Sequence, residues 1–548
     1  MFSRKQIIVF WLSIISIYII AWFTQSHFLL PSDSLWQLQM SRGVLHGGTY
    51  LKNFFEITPP LFLYLTIPEI AIEKIFSVSH VVGLYIYIFI LSTFLLCICY
   101  NLLRKIFSKN DIGFALVLLI GISFIFLILP LSAFGEREHY FVLLSMPYFL
   151  LLVCRIRNIK VSTPFAVMIG LLGAAGFFIK PYFLAAFILA ELYTIFTSRK
   201  QKKYCWRPET FSVIIFLVFY TICIFIFFKP YVFTILPITL RFYYQSYGKS
   251  WGATFDSSVI FFLLLAIFLG FFYRKNSYAN FLALLTFALI GNFVAYGAQK
   301  IPWYYHIFPA LSIALLSMLL LLCILKKNNH SILVTLAVAF FLFYFPISYI
   351  SFIYAYSISL KKQLGPLIYF LHKTEFHRPV YFLSAETPYF LSVINYAGAY
   401  HPSHFNFLVW MRDYYNIHFV THRTLQQKRD ANYLTGILAT DFNHYKPDLV
   451  FVDMGYTHTK NGYGIHINYL RFLLQNKKFK SAWKKYHFLM SIHAKNLYAF
   501  NIYERNGKRS VVLPITSPNC KAFSACNAEF HTTALCSHKI ITVEPNLK

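Results

Sequence analysis

Long runs of apolar residues alternate with short polar segments over the first 360 residues of the chain. A helix that crosses a membrane needs about 20 predominantly apolar residues in succession. Eleven runs approach that length, although several are short and their boundaries are loose. The runs that predict membrane-spanning helices cover residues 7–23, 79–103, 113–131, 140–154, 162–179, 181–197, 211–228, 258–273, 279–297, 306–325 and 331–355.

Clusters of lysine and arginine occur in every second segment between these runs. Positively charged loops stay on the cytoplasmic side of a membrane. The alternation therefore predicts a cytoplasmic N-terminus and places the chain after about residue 360 on the outer side. The basic clusters are Arg4-Lys5, Arg104-Lys105 with Lys109, Arg155/Arg157/Lys160, the segment 198–207, Arg274-Lys275 and Lys326-Lys327.

The segment 61–79 is apolar, but its polar positions separate it from the predicted spans. They favour an amphipathic helix that lies along the outer surface, within a first outer loop over residues 24–78. Treating the segment as a span would also reverse the side of every later basic loop. The polar positions are Pro68, Glu69, Glu73 and Lys74.

The pattern changes after residue 360, where long apolar runs stop. "RPVYFLSA", "KPDLVFVDMG" and "AFNIYER" are typical of strands, and "INYLRFLLQNKKFKSAWKK" predicts an amphipathic helix. We therefore expect a polytopic α-helical membrane protein with a C-terminal outer α/β domain. The expected parts are a bundle over residues 1–359, an α/β domain over 360–510 and a loosely ordered tail over 511–548 that contains Cys520, Cys526 and Cys536. An oxidising compartment would allow one disulfide in that tail.

Composition supports the membrane class, because 58% of the 548 residues are hydrophobic and only 13% are charged. The formal net charge of +29 raises the question of nucleic-acid binding. Much of this charge lies in short loops between apolar runs, where it orients the spans, so we expect no nucleic-acid partner.

The first apolar run has no small-residue cleavage site after it, unlike a secretory signal peptide. This predicts an uncleaved first span.

The loops assigned to the outer side carry most of the acidic residues of the first 360 positions, together with basic and aromatic ones. Such groups gathered on one face of a bundle indicate a functional site. The most informative stretches are "PSDSLWQLQM", "FGEREHYF", "FFIKPYF" and "PWYYHIFPA".

These outer motifs resemble those of the C-type glycosyltransferase superfamily of integral membrane enzymes, and most nearly the protein O-mannosyltransferases and the bacterial lipid A aminoarabinose transferases. In those enzymes an acidic residue stands near the start of the first outer loop and "PPL" near its end, which correspond here to Asp33 and "TPPLFLYL". The resemblance covers about residues 1–320. It implies an inverting transfer of a sugar from a polyprenyl-phosphate donor, on the outer face of a bacterial inner membrane.

The sequence departs from that pattern in two places. The aminoarabinose transferases have Glu-Lys directly before Pro-Pro-Leu, whereas Glu56 is followed here by Ile57 and Thr58, so that the lysine is absent. Their second outer loop has an aspartate, whereas this chain offers Glu136 and Glu138, and the sequence leaves open which of them corresponds.

Sugar transfer from a lipid phosphate needs a base for the acceptor hydroxyl, cations or hydrogen-bond donors for the departing phosphate, and an apolar groove for the polyprenyl tail. Asp33 is the candidate base and Glu138 the second candidate catalytic residue. Glu56 is a candidate to orient the acceptor or to bind a divalent cation, although no ligand spacing identifies a metal. The candidate substrate-binding residues are Glu56, Glu136, Arg137, His139, Lys180, Arg241, Lys249, Lys300, Trp303, Tyr305 and His306.

Each candidate also has a structural alternative. Asp33 fits the N-cap of a short surface helix from Ser34 to Gly43, in which Trp36 would anchor the helix in the interface. Lys180 fits a lysine that extends to the membrane surface. The Glu136–Glu138 cluster fits a surface ion pair, the aromatic residues around Tyr305 fit an interfacial belt, and His306 fits a structural histidine.

Two other functions stay open at this point. One is a ligase or polymerase of lipid-linked oligosaccharides, and the other is a transporter or flippase for an envelope lipid. A transporter should show ionisable groups near mid-membrane and two repeated halves. Glu191 is the main acidic residue within a predicted span, and no repeat is visible, which weighs against transport. The acceptor, whether an envelope lipid, a glycan or a protein, stays open as well.

Overall fold

The computed structural model divides the chain into two compact units. The helical unit comprises Met1–Leu30, Thr58–Phe228 and Gly248–Ser357, and the α/β unit comprises Pro31–Ile57, Lys229–Tyr247 and Ile358–Lys548. Lys249 and the cysteine-containing tail lie outside the described residues. The structure describes residues 4–200, 207–246, 255, 258–272, 278–301, 303–327, 332–375, 378–385, 387–406, 408–420, 422–454, 467–494 and 498–507.

A helix forms at each of the eleven predicted apolar runs. Among the described residues, eight helical stretches are long and apolar enough to cross a membrane, and Thr163–Phe177 and Ile260–Phe272 are apolar but shorter. The protein is therefore a multi-pass membrane protein, and the number of eleven spans stays a prediction. The helices at the eleven runs are Arg4–His27, His80–Ile106, Ile112–Leu127, Arg137–Ile156, Thr163–Phe177, Leu184–Lys200, Pro208–Phe227, Ser258–Phe272, Ala279–Gln299, Tyr304–Lys327 and Ile332–Glu375, the last of which continues into the α/β unit.

The helix Arg137–Ile156 occupies the interior of the helical unit, because 94% of its most apolar 18-residue stretch is buried. The helix Pro208–Phe227 leaves phenylalanines such as Phe219 and Phe227 exposed, as lipid-facing helices do. Small residues allow close helix packing, as in membrane bundles generally. At Gly291 an added Cβ would lie only 2.4 Å from the Cα of Ala186.

The segment between Pro60 and Ser77 forms two short helices, Leu61–Leu65 and Ile67–Phe76. Ten residues of helix extend about 15 Å, which is half the thickness of the hydrocarbon core, so neither helix can span it. The prediction that Glu69 belongs to a polar surface face is wrong. Glu69 is buried and accepts a hydrogen bond from the Tyr140 hydroxyl, and burial raises the pKa of Glu69 to about 8.

The α/β unit contains a four-stranded sheet of β1 (Val380–Leu383), β2 (Leu449–Asp453), β3 (Tyr486–Ala494) and β4 (Tyr498–Arg505), in the order β1-β2-β4-β3. β1 pairs in parallel with β2, whereas the other two pairs are antiparallel. Strands were expected at β1, β2 and β4, and β3 was not anticipated. The helices of this unit are Ser32–Leu45, Leu236–Ser246, Thr387–Ala397, Val409–Val420, Leu425–Tyr445, Tyr469–Leu473 and Lys477–Trp483.

The single amphipathic helix predicted after residue 467 is wrong, because the structure has two short helices there. Asn468 caps the first through a hydrogen bond from the Arg471 backbone N–H. Asn476 caps the second by accepting from the N–H groups of Lys478 and Phe479. Asn476 has an extended backbone, and its side chain supplies the acceptor that the first N–H groups of the second helix lack, so a new helix begins there.

The first-loop helix also differs from its prediction as a surface helix from Ser34 to Gly43. It covers Ser32–Leu45, and Trp36 is only 2% exposed, so Trp36 is not an interfacial anchor. Pro31 is the N-cap residue and no side-chain cap bond forms there. Asp33 therefore lies in the first helical turn, where negative charge is favourable, and does not serve as the cap.

Candidate active site

The helical unit builds its polar cluster at the start of Arg137–Ile156. A tight turn precedes this helix, with Gly135 in the left-handed region at φ +80°. His139 Nδ1 accepts a hydrogen bond of 3.1 Å from the Gly135 N–H, and Nε2 donates to the Phe126 carbonyl at 2.7 Å. Both ring nitrogens are thus engaged by the backbone. These two bonds give His139 a structural role in this turn rather than a role in substrate binding.

Glu138 is fully buried at the beginning of this helix and forms the centre of the cluster. Its Oε1 accepts a hydrogen bond of 2.5 Å from Lys180 Nζ, and His306 Nε2 lies 3.9 Å from the same oxygen. Its Oε2 is buried without a hydrogen-bond partner in the part of the chain that the structure describes. An unsatisfied buried carboxylate oxygen is costly, so this atom is suited to receive a donor from a ligand.

Lys180 reaches Glu138 from a short connection between two helices. The lysine has an extended backbone and is followed by the single turn Pro181–Phe183, so its position is narrowly restricted. Burial lowers the pKa of Lys180, whereas the nearby Glu138 opposes that effect and Arg137 adds to it. The charged form of Lys180 therefore depends on the Glu138 carboxylate. The Nζ atom also lies 5.6 Å from the centre of the Tyr305 ring, within cation–π range.

His306 closes the cluster from the helix Tyr304–Lys327. Its Nδ1 contacts the Ile301 carbonyl at 3.1 Å and must donate to it, so in the neutral ring Nε2 is an acceptor that faces Glu138. A separation of 3.9 Å is too long for a direct hydrogen bond. A proton shared between the two acceptors, or a group with two donor hydrogens, would satisfy both. Tyr305 packs edge-on against the His306 ring at 4.3 Å, and Trp303 lies 5.6 Å away and is partly exposed.

Arg137 connects the cluster to the "TPPL" motif, because its Nη1 donates a hydrogen bond of 2.6 Å to Thr58 Oγ1. Glu136 precedes it and is fully buried. Four stretches that are distant in sequence therefore meet within the helical unit, namely those around Thr58, Glu138, Lys180 and His306. The sequence motifs indicate Glu138, Lys180 and His306 as site residues, whereas the contact of Thr58 is visible only in the structure.

Three candidates lie in the α/β unit. Asp33 is half-buried in the first turn of Ser32–Leu45. Glu56 is buried and accepts a hydrogen bond of 2.7 Å from Trp36 Nε1. Arg241 donates through Nε to Asp430 Oδ2 at 2.6 Å, so its charge is already neutralised within this unit.

Lys300 and Glu191 also have defined structural surroundings. Lys300 ends the helix Ala279–Gln299 in a left-handed conformation, at φ +53°. Glu191 is buried and accepts hydrogen bonds from Arg207, from the Tyr148 hydroxyl at 2.5 Å and from Thr210 at 3.2 Å. Because Glu191 accepts hydrogen bonds from three side chains, it connects helices rather than carrying an ion. It therefore gives no support to a transport function.

Among solved structures, the chain is similar to ArnT from Cupriavidus metallidurans bound to undecaprenyl phosphate. The TM-score is 0.53 at 11% identity, and the match covers 92% of this chain and 99% of that chain. The two chains therefore share a fold, which confirms the predicted polytopic helical architecture with a C-terminal α/β part. Comparison of the sequence with protein families and with curated proteins gives no match.

Weaker similarity extends to oligosaccharyltransferase structures from Archaeoglobus fulgidus. The enzyme in complex with Zn and sulfate gives a TM-score of 0.42 at 12% identity, covering 89% of this chain and 72% of that chain. AglB in complex with an inhibitory peptide and a dolichol-phosphate gives 0.38 at 11% identity, covering 89% and 74%. Among the described residues of the present chain, no group of three or more His, Cys, Asp or Glu side chains could hold a metal ion.

Proposed function

We propose that this chain is an integral membrane glycosyltransferase that moves a sugar from a polyprenyl-phosphate donor to an envelope lipid, glycan or protein. In this proposal it acts at the outer face of a bacterial inner membrane. The observation that carries the proposal is the buried Lys180–Glu138 pair beside His306, in a helical bundle with the fold of ArnT. The ArnT structure contains undecaprenyl phosphate, a donor carrier of the proposed class.

Burying two charges costs several kcal/mol each before their attraction is counted, and such pairs often add no net stability. A pair that is poorly explained by stability is a candidate for function. Lys180 has three N–H donors, of which Glu138 takes one, so the remaining donors are suited to a phosphate oxygen. Arg137 supplies a second cation near Lys180.

The proposed reaction is a single displacement. The acceptor oxygen attacks the anomeric carbon, the bond from that carbon to the phosphate oxygen breaks, and the electron pair leaves with the polyprenyl phosphate. Lys180 and Arg137 stabilise the negative charge that develops on the phosphate. Asp33 takes the proton from the acceptor hydroxyl as the new bond forms. Attack opposite the leaving group inverts the anomeric configuration.

Glu138 has a positioning role in this scheme, because it holds Lys180 through a direct ion pair. His306 and Glu138 present two acceptors to the same space, which suits two neighbouring sugar hydroxyls that each donate to one of them. Trp303 and Tyr305 offer aromatic faces next to His306 for sugar stacking. Glu56 is proposed to orient the acceptor, and a divalent cation bound at this carboxylate remains part of the proposal.

The variant Asp33→Asn tests the base directly. Asparagine preserves the shape of the side chain but cannot accept the proton, and loss of a general base typically lowers the rate about 10²- to 10⁴-fold. We expect the purified variant to bind a polyprenyl-phosphate sugar like the wild type. Cells that carry only this variant should lose the transfer product, measured by mass spectrometry of their envelope lipids and glycans. Near-wild-type transfer by a folded Asp33→Asn protein would remove Asp33 from the mechanism.

A further inference from the structure

A histidine outside the predicted motifs holds the segment that carries Glu56. The segment around Phe55 runs beside "HPSHF", residues 401–405, within the α/β unit. The Phe55 N–H donates to the His404 carbonyl at 2.6 Å, and the rings of Phe55 and Phe405 lie 5.6 Å apart. These contacts attach the residues just before Glu56 to the C-terminal part of the chain.

The ring of His404 makes the most specific of these contacts. Its Nδ1 lies 2.6 Å from Asp441 Oδ1, and its Nε2 lies 2.7 Å from the Lys52 carbonyl oxygen. Both partners are acceptors, so both ring nitrogens must carry a hydrogen for both bonds to form. His404 is therefore an imidazolium in this arrangement. The backbone N–H of His404 also donates to Asp441 Oδ2 at 2.8 Å, which fixes the histidine relative to the helix Leu425–Tyr445.

Glu56 follows Phe55 directly in the chain, and its carboxylate accepts a hydrogen bond from Trp36. Because residues 52–55 are attached to His404, their placement limits where this carboxylate can lie. We propose that His404, held by Asp441, is a positioning residue that fixes the segment from Lys52 to Glu56 and thereby places the Glu56 carboxylate for the transfer reaction. This inference rests on the proposed function. It adds a residue of the C-terminal part of the chain to the machinery.

The surroundings of His404 favour the charged form. Burial lowers the pKa of His404, but the hydrogen bond and the charge of Asp441 outweigh it, so that the pKa is raised above its ordinary value. The other titratable groups near Asp441 stay neutral around pH 7. Burial lowers the pKa of His401 to about 4, and burial together with Asp441 raises the pKa values of Tyr381 and Tyr445.

Two variants separate the two ring contacts. In His404→Asn the amide nitrogen takes the position of Nδ1 and can keep the bond to Asp441, but the side chain is too short to reach the Lys52 carbonyl. In His404→Gln the amide nitrogen takes the position of Nε2 and can restore the Lys52 contact. Lys52→Ala is the matched control, because Lys52 contributes its backbone carbonyl and its side chain is exposed.

We expect His404→Asn to stay folded with a modestly lower unfolding temperature and to exchange the backbone amides of residues 52–56 about 10- to 100-fold faster, the effect of losing a hydrogen bond to a charged group. The kcat for transfer should fall while the KM for the lipid-linked donor stays constant. His404→Gln should recover part of the lost protection and part of the lost kcat, and Lys52→Ala should behave like the wild type.

The pH dependence gives a second measurement. In the wild type, protection of the amides of residues 52–56 against exchange should be complete below the raised pKa of His404 and decline as the pH rises through it, whereas His404→Gln should show no such decline.

Unchanged exchange in His404→Asn would overturn the inference, because the contact would not be fixing the segment. Faster exchange with an unchanged kcat would overturn it as well, since the contact would then be structural only. The exchange measurement needs no substrate, so it is independent of the proposed function. If the wild type itself transfers no sugar from any polyprenyl-phosphate donor, the proposed function and the role of Glu56 both fail, whatever the exchange shows.

Discussion

At the scale of single residues, the cluster around Glu138 is informative because its charges are internally compensated. Glu138 and Lys180 were selected from residue type and from the predicted side of the membrane, which restricts the face of the bundle but not distances within it. The pairing itself joins positions 42 residues apart and depends on how the helices pack. His139 shows the opposite case, because its motif suggested a ligand contact and backbone groups occupy both of its nitrogens.

The ion pair can be tested by removing its partners in turn. Lys180→Met should destabilise the protein by about 3–5 kcal/mol, because it leaves a buried carboxylate without its partner. Lys180→Met combined with Glu138→Gln should recover most of that loss, since the carboxylate left without its partner is removed as well. Neither protein should transfer sugar if Lys180 binds the phosphate. Thermal unfolding in detergent and a transfer assay measure the two effects, and a stable, fully active double variant would exclude Lys180 as a phosphate ligand.

At the scale of helices and strands, the apolar pattern located a helix at each of the eleven predicted runs, with most boundaries correct to within a few residues. Hydropathy works well here because each helix must satisfy its own backbone in lipid. The pattern failed where local side chains decide the outcome. Asn476 divides one predicted helix into two, and the polar Glu69 turns inward to meet Tyr140. Such outcomes depend on a partner that periodicity alone does not reveal.

Close packing of two helices gives a test at this scale. Gly291 lies against the backbone of Ala186, so Gly291→Ala would force the helices Ala279–Gln299 and Leu184–Lys200 apart. Overpacking of this kind costs about 1–3 kcal/mol. Gly113→Ala is the matched control, because a Cβ there meets nothing within 4 Å. We expect a lower unfolding temperature for Gly291→Ala only. Equal unfolding temperatures for the two variants would show that this contact is not tight in the folded protein.

At the scale of the whole molecule, the α/β unit recruits two stretches from far earlier in the chain, Pro31–Ile57 and Lys229–Tyr247. Composition shows the change of character near residue 360, but it gives no sign of this recruitment. The contacts responsible are specific pairs, such as Arg241 with Asp430 and Phe55 with Phe405. Complementary partners of this kind become visible only when the chain is folded, whereas a domain boundary can be inferred from composition.

The orientation of the chain is the prediction on which the proposed reaction depends, because a periplasmic transfer needs Asp33 and the α/β unit outside. Some basic residues of the alternate loops pair with acids, as Arg155 does with Glu209 and Lys327 with Asp111. Their pairing does not weaken the predicted orientation, because the positive-inside rule counts lysine and arginine rather than net charge.

We expect a fluorescent reporter that folds only in the cytoplasm to stay dark when fused after Arg505, at the end of β4, and to fluoresce when fused after Lys200. An alkaline phosphatase reporter, active only outside the cytoplasm, should give the reverse pattern at the same two positions. Fluorescence after Arg505 would put the α/β unit, with Asp33, Glu56 and His404, in the cytoplasm and exclude transfer at the outer face.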